Sequence, residues 1–166
     1  MKIEYDREWF SKNSNKFDKW FDPDKFDWDS SFLLAKYCFD HFDKWYDPNT
    51  FNSSYGHHLA IYCTKDFDKW FDPEKYDWQY SYMLAGYCSD HFDKWFNLEK
   101  FNFPEDCGYL TSYCYKDFNK WFDPETYDWV YGKHMLVENC IAYIDLWYDP
   151  NRFEQSYDEI ILMSIK

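Results

Sequence analysis

The chain has 166 residues, a formal net charge of −13, and 44 aromatic side chains (10 Trp, 17 Tyr and 17 Phe) beside only 4 Gly and 6 Pro. This length is typical of one ordinary domain, and the aromatic content excludes a disordered or collagen-like chain. We find no stretch of roughly 18 uncharged apolar residues and no signal-peptide pattern at the start, so we expect a cytoplasmic protein that does not bind membranes. Direct binding to nucleic acid is also disfavoured, because phosphates require Lys and Arg.

A tandem repeat organises the sequence. Its signature is the phrase FDKWFDP, which first occurs at Phe17 and returns, much altered, as IDLWYDP at Ile144. The anchoring tryptophans of the six copies are 25 or 26 residues apart, at Trp20, Trp45, Trp70, Trp95, Trp121 and Trp147. Self-similarity at such a period indicates a repeat architecture.

Apolar residues precede each anchoring Trp at helical spacing. In the second copy they are Leu34, Cys38 and Phe42, followed by Trp45. Steps of four, four and three residues draw one stripe along an α-helix, whereas they would scatter over both faces of a strand. Each copy therefore predicts one amphipathic helix of roughly 16 residues.

An Asp-Pro pair and an aromatic residue follow the anchoring Trp in most copies, as in Asp22, Pro23 and Phe26. Proline ends the preceding helix but suits the first turn of a new one, with Asp as its N-cap. We therefore expect one short helical turn after each long helix. Near the end of the sequence, the segment SYDE at 156–159 matches a capping box before an apolar helix.

These patterns predict an all-α fold: a short α-solenoid of about six helical repeats of roughly 25 residues, with a C-terminal capping helix. Residues 1–166 would form a single tandem-repeat domain, with an opening helix at 4–21, repeats at about 22–154 and the cap at 155–166. Three antiparallel helix pairs are favoured, because connectors of about nine residues would struggle to return along a helix about 24 Å long. A solenoid with one helix per turn and parallel helices is the alternative.

The repeat also resembles a known kind of sequence. Strings of the type LAKYCxDHFDKWFDPxxFDW, between Phe17 and about Phe153, are similar to the aromatic tandem repeats of uncharacterised proteins from giant viruses and low-GC bacteria. The resemblance implies a repeat protein, and it brings no activity and no catalytic residues with it.

Cysteine and histidine occupy fixed repeat positions. Five cysteines lie seven residues before an anchoring Trp, at Cys38, Cys63, Cys88, Cys114 and Cys140. Packed helices are about 8 to 10 Å apart, too far for a disulfide, so we interpret these residues as small buried side chains. His41 and His91 alternate with Asp66 and Asp117 at another position, and we interpret that alternation as salt bridging between helices rather than a metal or acid–base site.

Motifs of known enzymes are missing from the sequence. It contains no glycine-rich phosphate loop, no GxSxG elbow, no HExxH and no CxxC spacing. We therefore predict a protein that is not an enzyme, with no catalytic residue, no metal site and no cofactor.

One tryptophan position breaks the repeat rule. Copies one, three and five carry Trp28, Trp78 and Trp129 after the turn, each preceded by Asp (Asp27, Asp77 and Asp128), whereas copies two, four and six carry Ser53, Phe103 and Gln155. Such a row of rings and carboxylates could hold Lys or Arg by cation–π and ionic contacts, or stack on sugars. The competing interpretation is that these rings only cap the ends of the repeats.

The acidic charge and the repeat pattern together favour a binding function. We expect a basic protein surface as the partner, with the chain acting as an inhibitor or antagonist of a nucleic-acid-binding protein or a toxin. The alternatives are a carbohydrate-binding module that uses the Trp row, and a structural protein that associates with itself. The sequence leaves the oligomeric state undetermined.

Overall fold

A computed structural model describes residues 6–103 and 105–164, and within these ranges it is all-helical, without strands. The α-helices are α1 (Arg7–Asn13), α2 (Phe17–Trp20), α3 (Ser31–Tyr37), α4 (Phe42–Trp45), α5 (Gly56–Tyr62), α6 (Phe67–Trp70), α7 (Ser81–Tyr87), α8 (Phe92–Trp95), α9 (Cys107–Tyr113), α10 (Phe118–Trp121), α11 (Trp129–Asn139), α12 (Ile144–Trp147) and α13 (Tyr157–Ser164). Short 3₁₀ helices lie at Ser14–Lys16, Trp28–Ser30, Phe39–His41, Ser53–Tyr55, Thr64–Asp66, Trp78–Tyr80, Ser89–His91, Tyr115–Asp117 and Ile141–Tyr143. None of the helices in the described ranges is long and apolar enough to cross a membrane.

The predicted ends of the chain fall partly outside these ranges. Residues 4 and 5 of the expected opening helix and residues 165 and 166 of the expected cap lie outside the described residues. The contacts divide the chain into two compact units, Met1–Asp77 and Trp78–Lys166.

The prediction of one continuous helix of roughly 16 residues per copy is wrong, because the helix breaks at the cysteine position. In the second copy α3 ends at Tyr37, and Cys38 has φ −126° and ψ 25°, outside the helical region. A 3₁₀ turn and then α4 follow. The Cys38 carbonyl accepts a hydrogen bond from the indole N–H of Trp45 at 2.8 Å.

This indole–carbonyl bond recurs in every copy and explains the spacing of seven residues between the cysteine position and the anchoring Trp. The donor–acceptor distances are 2.8 to 2.9 Å for Trp20 to Asn13, Trp70 to Cys63, Trp95 to Cys88, Trp121 to Cys114 and Trp147 to Cys140. A buried carbonyl at a helix break needs a partner, and the ring supplies one.

The predicted apolar stripe is buried despite the break. Leu34, Cys38, Phe42 and Trp45 are 0 to 3% exposed, and the same positions are buried in the later copies. Burying a large apolar side chain stabilises the fold by about 1.5 to 3 kcal/mol, so the stripe forms the core of each unit.

The antiparallel direction favoured by the sequence is wrong for the helices whose contacts define it. In the first unit the Cys63 thiol donates to the Ala35 carbonyl at 3.9 Å, and Lys69 pairs with Asp43 at 2.6 Å. Residue numbers rise together on both sides, so α3–α4 and α5–α6 run in the same direction. The second unit shows the same order, because Cys114 contacts Ala85 and Lys120 contacts Asp93.

The break in the helix is the physical reason for this correction. The antiparallel expectation assumed a straight rod about 24 Å long that the connector would have to retrace. A helical segment of seven residues, a turn at Cys38 and a segment of four residues shorten that path. The connector between Trp45 and Gly56 therefore suffices to start the next copy beside the first.

The short elements at the ends of the copies agree with their sequence signals. In the first turn, Asp22 accepts a backbone hydrogen bond from Phe26 at 3.0 Å, which closes a single helical turn. At the start of α13 the backbone N–H of Ser156 donates to Glu159 at 2.8 Å, and the Glu159 N–H donates to the Ser156 hydroxyl oxygen at 3.4 Å. The capping box is thus confirmed.

Candidate binding site

The side chains of the three predicted tryptophans are half-buried beside the turns. Trp28 contacts Phe21 and Phe26 edge-on, with ring centroids 6.4 and 5.4 Å away. Its indole N–H donates to the carbonyl of Pro23 at 3.2 Å. Trp129 is held in the same way by its own copy, with its N–H 2.9 Å from the Pro124 carbonyl.

The capping interpretation therefore accounts for one edge of Trp28 and Trp129. The ring edge and the N–H are used locally, to close the turn that the Asp-Pro pair begins. Trp28 belongs to the first unit, and Trp78 and Trp129 belong to the second.

Two of the aspartates before these rings, Asp27 and Asp128, cap the helical turns that follow them. The Asp128 carboxylate accepts from the backbone N–H groups of Val130 and Tyr131 at 2.9 and 3.2 Å. Asp27 makes a longer contact of the same kind, 3.4 Å from the Asp29 N–H. Asp77 is half-buried and directly precedes the 3₁₀ turn at Trp78–Tyr80. Burial lowers the pKa of His57, and the negative charge of Asp77 opposes that lowering.

A cation does lie over two of the tryptophan rings, and the chain itself supplies it. The Arg152 guanidinium carbon is 4.5 Å from the centroid of Trp129, and its Nε donates to Oδ2 of Asp149 at 3.2 Å. Lys100 lies at the equivalent position of its copy, 5.8 Å from the centroid of Trp78. A ring face and a carboxylate can thus hold a cation in this fold, and the carboxylate comes from the following turn.

Lys100, Asp149 and Arg152 are not among the binding residues that the sequence predicted. A signal for them was present, because the third residue after the turn Asp or Asn varies between Lys, Thr and Arg from copy to copy. Its meaning depends on the parallel stacking, which places that residue over the ring of the preceding copy.

The cysteines at the repeat position are buried in both units. Cys38, Cys63, Cys88, Cys114 and Cys140 are 0 to 3% exposed, and no disulfide joins the cysteines of the chain. Burial raises the pKa of each of these five thiols to about 12. Thiolate is the reactive form of cysteine, and the raised pKa keeps these thiols protonated at neutral pH.

The predicted salt bridging between helices at the alternating positions is wrong for His41 and Asp66, which make different contacts. His41 stacks on Phe17 of the preceding copy, with centroids 4.7 Å apart and planes 11° apart. Asp66 pairs instead with Lys69 at 2.8 Å, and Asp117 pairs with Lys120 at the same distance. Across residues 6–103 and 105–164, no group of three His, Cys, Asp or Glu side chains converges in a way that could hold a metal ion.

Comparison with protein-family models, with curated proteins and with solved structures gives no match to this chain.

Proposed function

We propose that the chain is a non-enzymatic binding protein of short α-solenoid form, built from about six helical repeats, and that its partner is a basic protein surface. The net charge of −13 would attract such a partner and repel nucleic acid directly. An inhibitor of a nucleic-acid-binding protein or of a basic toxin fits this chemistry.

The observation that carries the proposal is the internal Arg152 contact. In this contact the repeat already binds one guanidinium, between the face of Trp129 and Oδ2 of Asp149. The ring face attracts the guanidinium through its quadrupole, and the carboxylate attracts it through a charge-assisted hydrogen bond.

The first unit contains the same ring and carboxylate, and among its described residues, 6–77, no Lys or Arg lies over the Trp28 ring. Thr50 occupies the repeat position of Arg152, following Trp28 as Arg152 follows Trp129. Asp47 uses Oδ1 to accept from the backbone and side-chain N–H groups of Asn49 at 2.8 and 3.0 Å. Asp149 holds Asn151 with Oδ1 at 2.9 and 3.0 Å and keeps Oδ2 for Arg152.

Trp28 and Asp47 are therefore the residues we assign to an arginine of the partner. A guanidinium would bind the ring face and Oδ2 of Asp47, as Arg152 does in its own copy. The sequence predicted that Asp27 would bind the cation. We assign this role to Asp47 instead, because the Asp27 carboxylate accepts a hydrogen bond from the backbone N–H of Asp29.

The test is titration of a short arginine-rich peptide into the chain by isothermal calorimetry. We expect binding that weakens at least tenfold between low and high salt, because screened charges attract less. In the variant Thr50→Arg, the chain would supply its own guanidinium to Trp28 and compete with the peptide, so affinity should fall further.

A matched control separates this effect from the added charge. Thr126→Arg adds the same charge at the equivalent turn position, where the preceding copy carries Phe103 instead of Trp. Equal losses in the two variants would remove Trp28 from the proposal. Binding that does not respond to salt, or equal binding of an acidic peptide, would refute the proposal as a whole.

A carbohydrate is the second candidate partner, and a groove along α9 and α11 favours it. Tyr109, Tyr113 and Tyr131 line this groove, which has a volume of about 650 Å³, and they are 41 to 76% exposed. Exposed rings of this kind can stack on sugars. Screening against a glycan array tests this candidate, and Tyr131→Ala should bind more weakly than the wild-type chain. A wild-type chain that binds no glycan on the array would refute it.

A further inference from the structure

The second copy contains a cavity at the position where its neighbours carry tryptophan. Ser53 takes the place that Trp28 has in the first copy. A cavity of about 420 Å³ opens at this point, entirely within the first unit, and Ser53 is part of its lining. This volume is within the range of small-molecule sites.

Two walls of the cavity match the walls that hold Trp28. Trp28 packs on Phe21 and Phe26, whose centroids are 5.7 Å apart at 52° between their planes. The equivalent pair in the second copy is Tyr46 and Phe51, 5.8 Å apart at 49°, and both rings line the cavity. The walls therefore keep the same arrangement although the second copy has no indole between them.

The polar partner of the indole is also present. Trp28 and Trp129 donate their N–H to the carbonyls of Pro23 and Pro124. Pro48 occupies this position in the second copy and lines the cavity. A ring entering the cavity would thus find an acceptor for its N–H group.

The cation that covers the ring in other copies is present as well. Lys75 lies at the repeat position of Lys100 and Arg152, each of which lies over a tryptophan ring. Lys75 lines the cavity, and its Nζ is 3.9 Å from a carboxylate oxygen of Asp72. Lys69 also lines it, but that ammonium is engaged by Asp43 and Asp66.

We propose that this cavity is a binding site for an indole ring, supplied either by a small indole carboxylate or by a tryptophan side chain of a peptide. The ring lies against Tyr46 and Phe51, its N–H donates to the Pro48 carbonyl, and Lys75 covers the exposed face or pairs with the carboxylate. The site does not depend on the acidic-surface proposal, because neither Trp28 nor Asp47 takes part in it.

The test measures binding of three probes to the full chain by calorimetry and by protein NMR. The probes are indole-3-acetate, a short uncharged peptide with one central tryptophan, and naphthalene-2-acetate, which has a similar shape without the N–H. We expect indole-3-acetate or the tryptophan peptide to bind. If indole-3-acetate binds, naphthalene-2-acetate should bind at least tenfold more weakly, because it has no N–H to donate to the Pro48 carbonyl. The probe that binds identifies the source of the ring.

The variant Ser53→Trp fills the cavity with the indole that copies one, three and five already carry. It should abolish binding of both indole probes and raise the melting temperature, because a ring is buried between preformed walls. Ser53→Ala is the matched control and should bind as the wild type does. Wild-type chain that binds neither probe at millimolar concentration, or Ser53→Trp that binds as tightly as wild type, would overturn the proposal.

A second variant keeps the test informative if Ser53→Trp fails to fold. Lys75→Met should weaken indole-3-acetate at least fivefold, because the ligand loses both the cation over its ring and the partner of its carboxylate. It should weaken the uncharged peptide by a smaller factor, because only the cation over the ring is lost. Equal affinities of wild type and Lys75→Met for indole-3-acetate would contradict the assigned orientation and the site with it.

Discussion

The buried repeat cysteines make the stability of this protein sensitive to alkaline pH. Burial, with a further contribution from Asp66, raises the pKa of Cys63 from 9.0 to about 12. A group whose pKa is raised by folding contributes stability that is fully present below its unfolded pKa and is lost as pH rises toward the folded value. The relevant window is therefore pH 9 to 12.

The magnitude follows from the linkage relation. Above pH 9 the unfolded thiol has lost its proton while the folded thiol keeps it, so each thiol lowers the free energy of unfolding by about 1.4 kcal/mol per pH unit. Five cysteines carry such a shift. Together they remove about 7 kcal/mol at pH 10, comparable with the whole stability of an ordinary domain. We expect the protein to unfold near pH 10.

The variant Cys63→Ala isolates one thiol from the other groups that titrate in this range. At pH 7 it should be less stable than wild type by about 1 kcal/mol, because a buried sulfur and its contact with the Ala35 carbonyl are lost. Between pH 8 and pH 10 this difference should shift by roughly 1 kcal/mol in favour of the variant and so disappear, since alanine has no proton to lose. Urea unfolding followed by circular dichroism, with a phosphine reductant present, measures both curves. Stability curves that remain parallel from pH 8 to pH 10 would refute the reasoning.

Two further predictions concern packing, and urea unfolding measures both. A Cβ at Gly132 would lie 2.3 Å from the hydroxyl oxygen of Tyr127, so Gly132→Ala should cost about 2 kcal/mol. Gly86→Ala, with nothing within 4 Å of the added carbon, should instead stabilise the protein by about 0.5 to 1 kcal/mol, because alanine favours the helix. A similar effect of the two substitutions would contradict the steric argument. Trp121→Phe should cost about 1 to 3 kcal/mol, because it removes the 2.9 Å donor to the Cys114 carbonyl and part of a buried ring. A neutral outcome would show that this bond contributes nothing to stability.

The sequence was sufficient for those features that depend on neighbours along the chain. The buried positions of Leu34, Cys38, Phe42 and Trp45 follow from helical spacing alone. The capping box before α13 depends on groups three residues apart, so its residue pattern predicts its hydrogen bonds.

The break in each helix marks the limit of such reasoning. Steps of four, four and three residues fit an unbroken helix as well as two segments joined at Cys38. The deciding interaction is the bond from the Trp45 indole to the Cys38 carbonyl, seven residues apart. Spacing of apolar residues reports which face is buried, and it contains no information on whether the backbone bends there.

The sites depend on contacts between copies, which only the tertiary structure decided. Parallel stacking places Arg152 over Trp129, and it brings Lys75 to the cavity beside Ser53. Each of these pairs is more than twenty residues apart in sequence, so its formation depends on the direction and register in which one copy packs on the next. Local hydrogen bonds and burial fix the structure within a copy, whereas the stacking of copies fixes which rings are covered by the chain and which are left for a ligand.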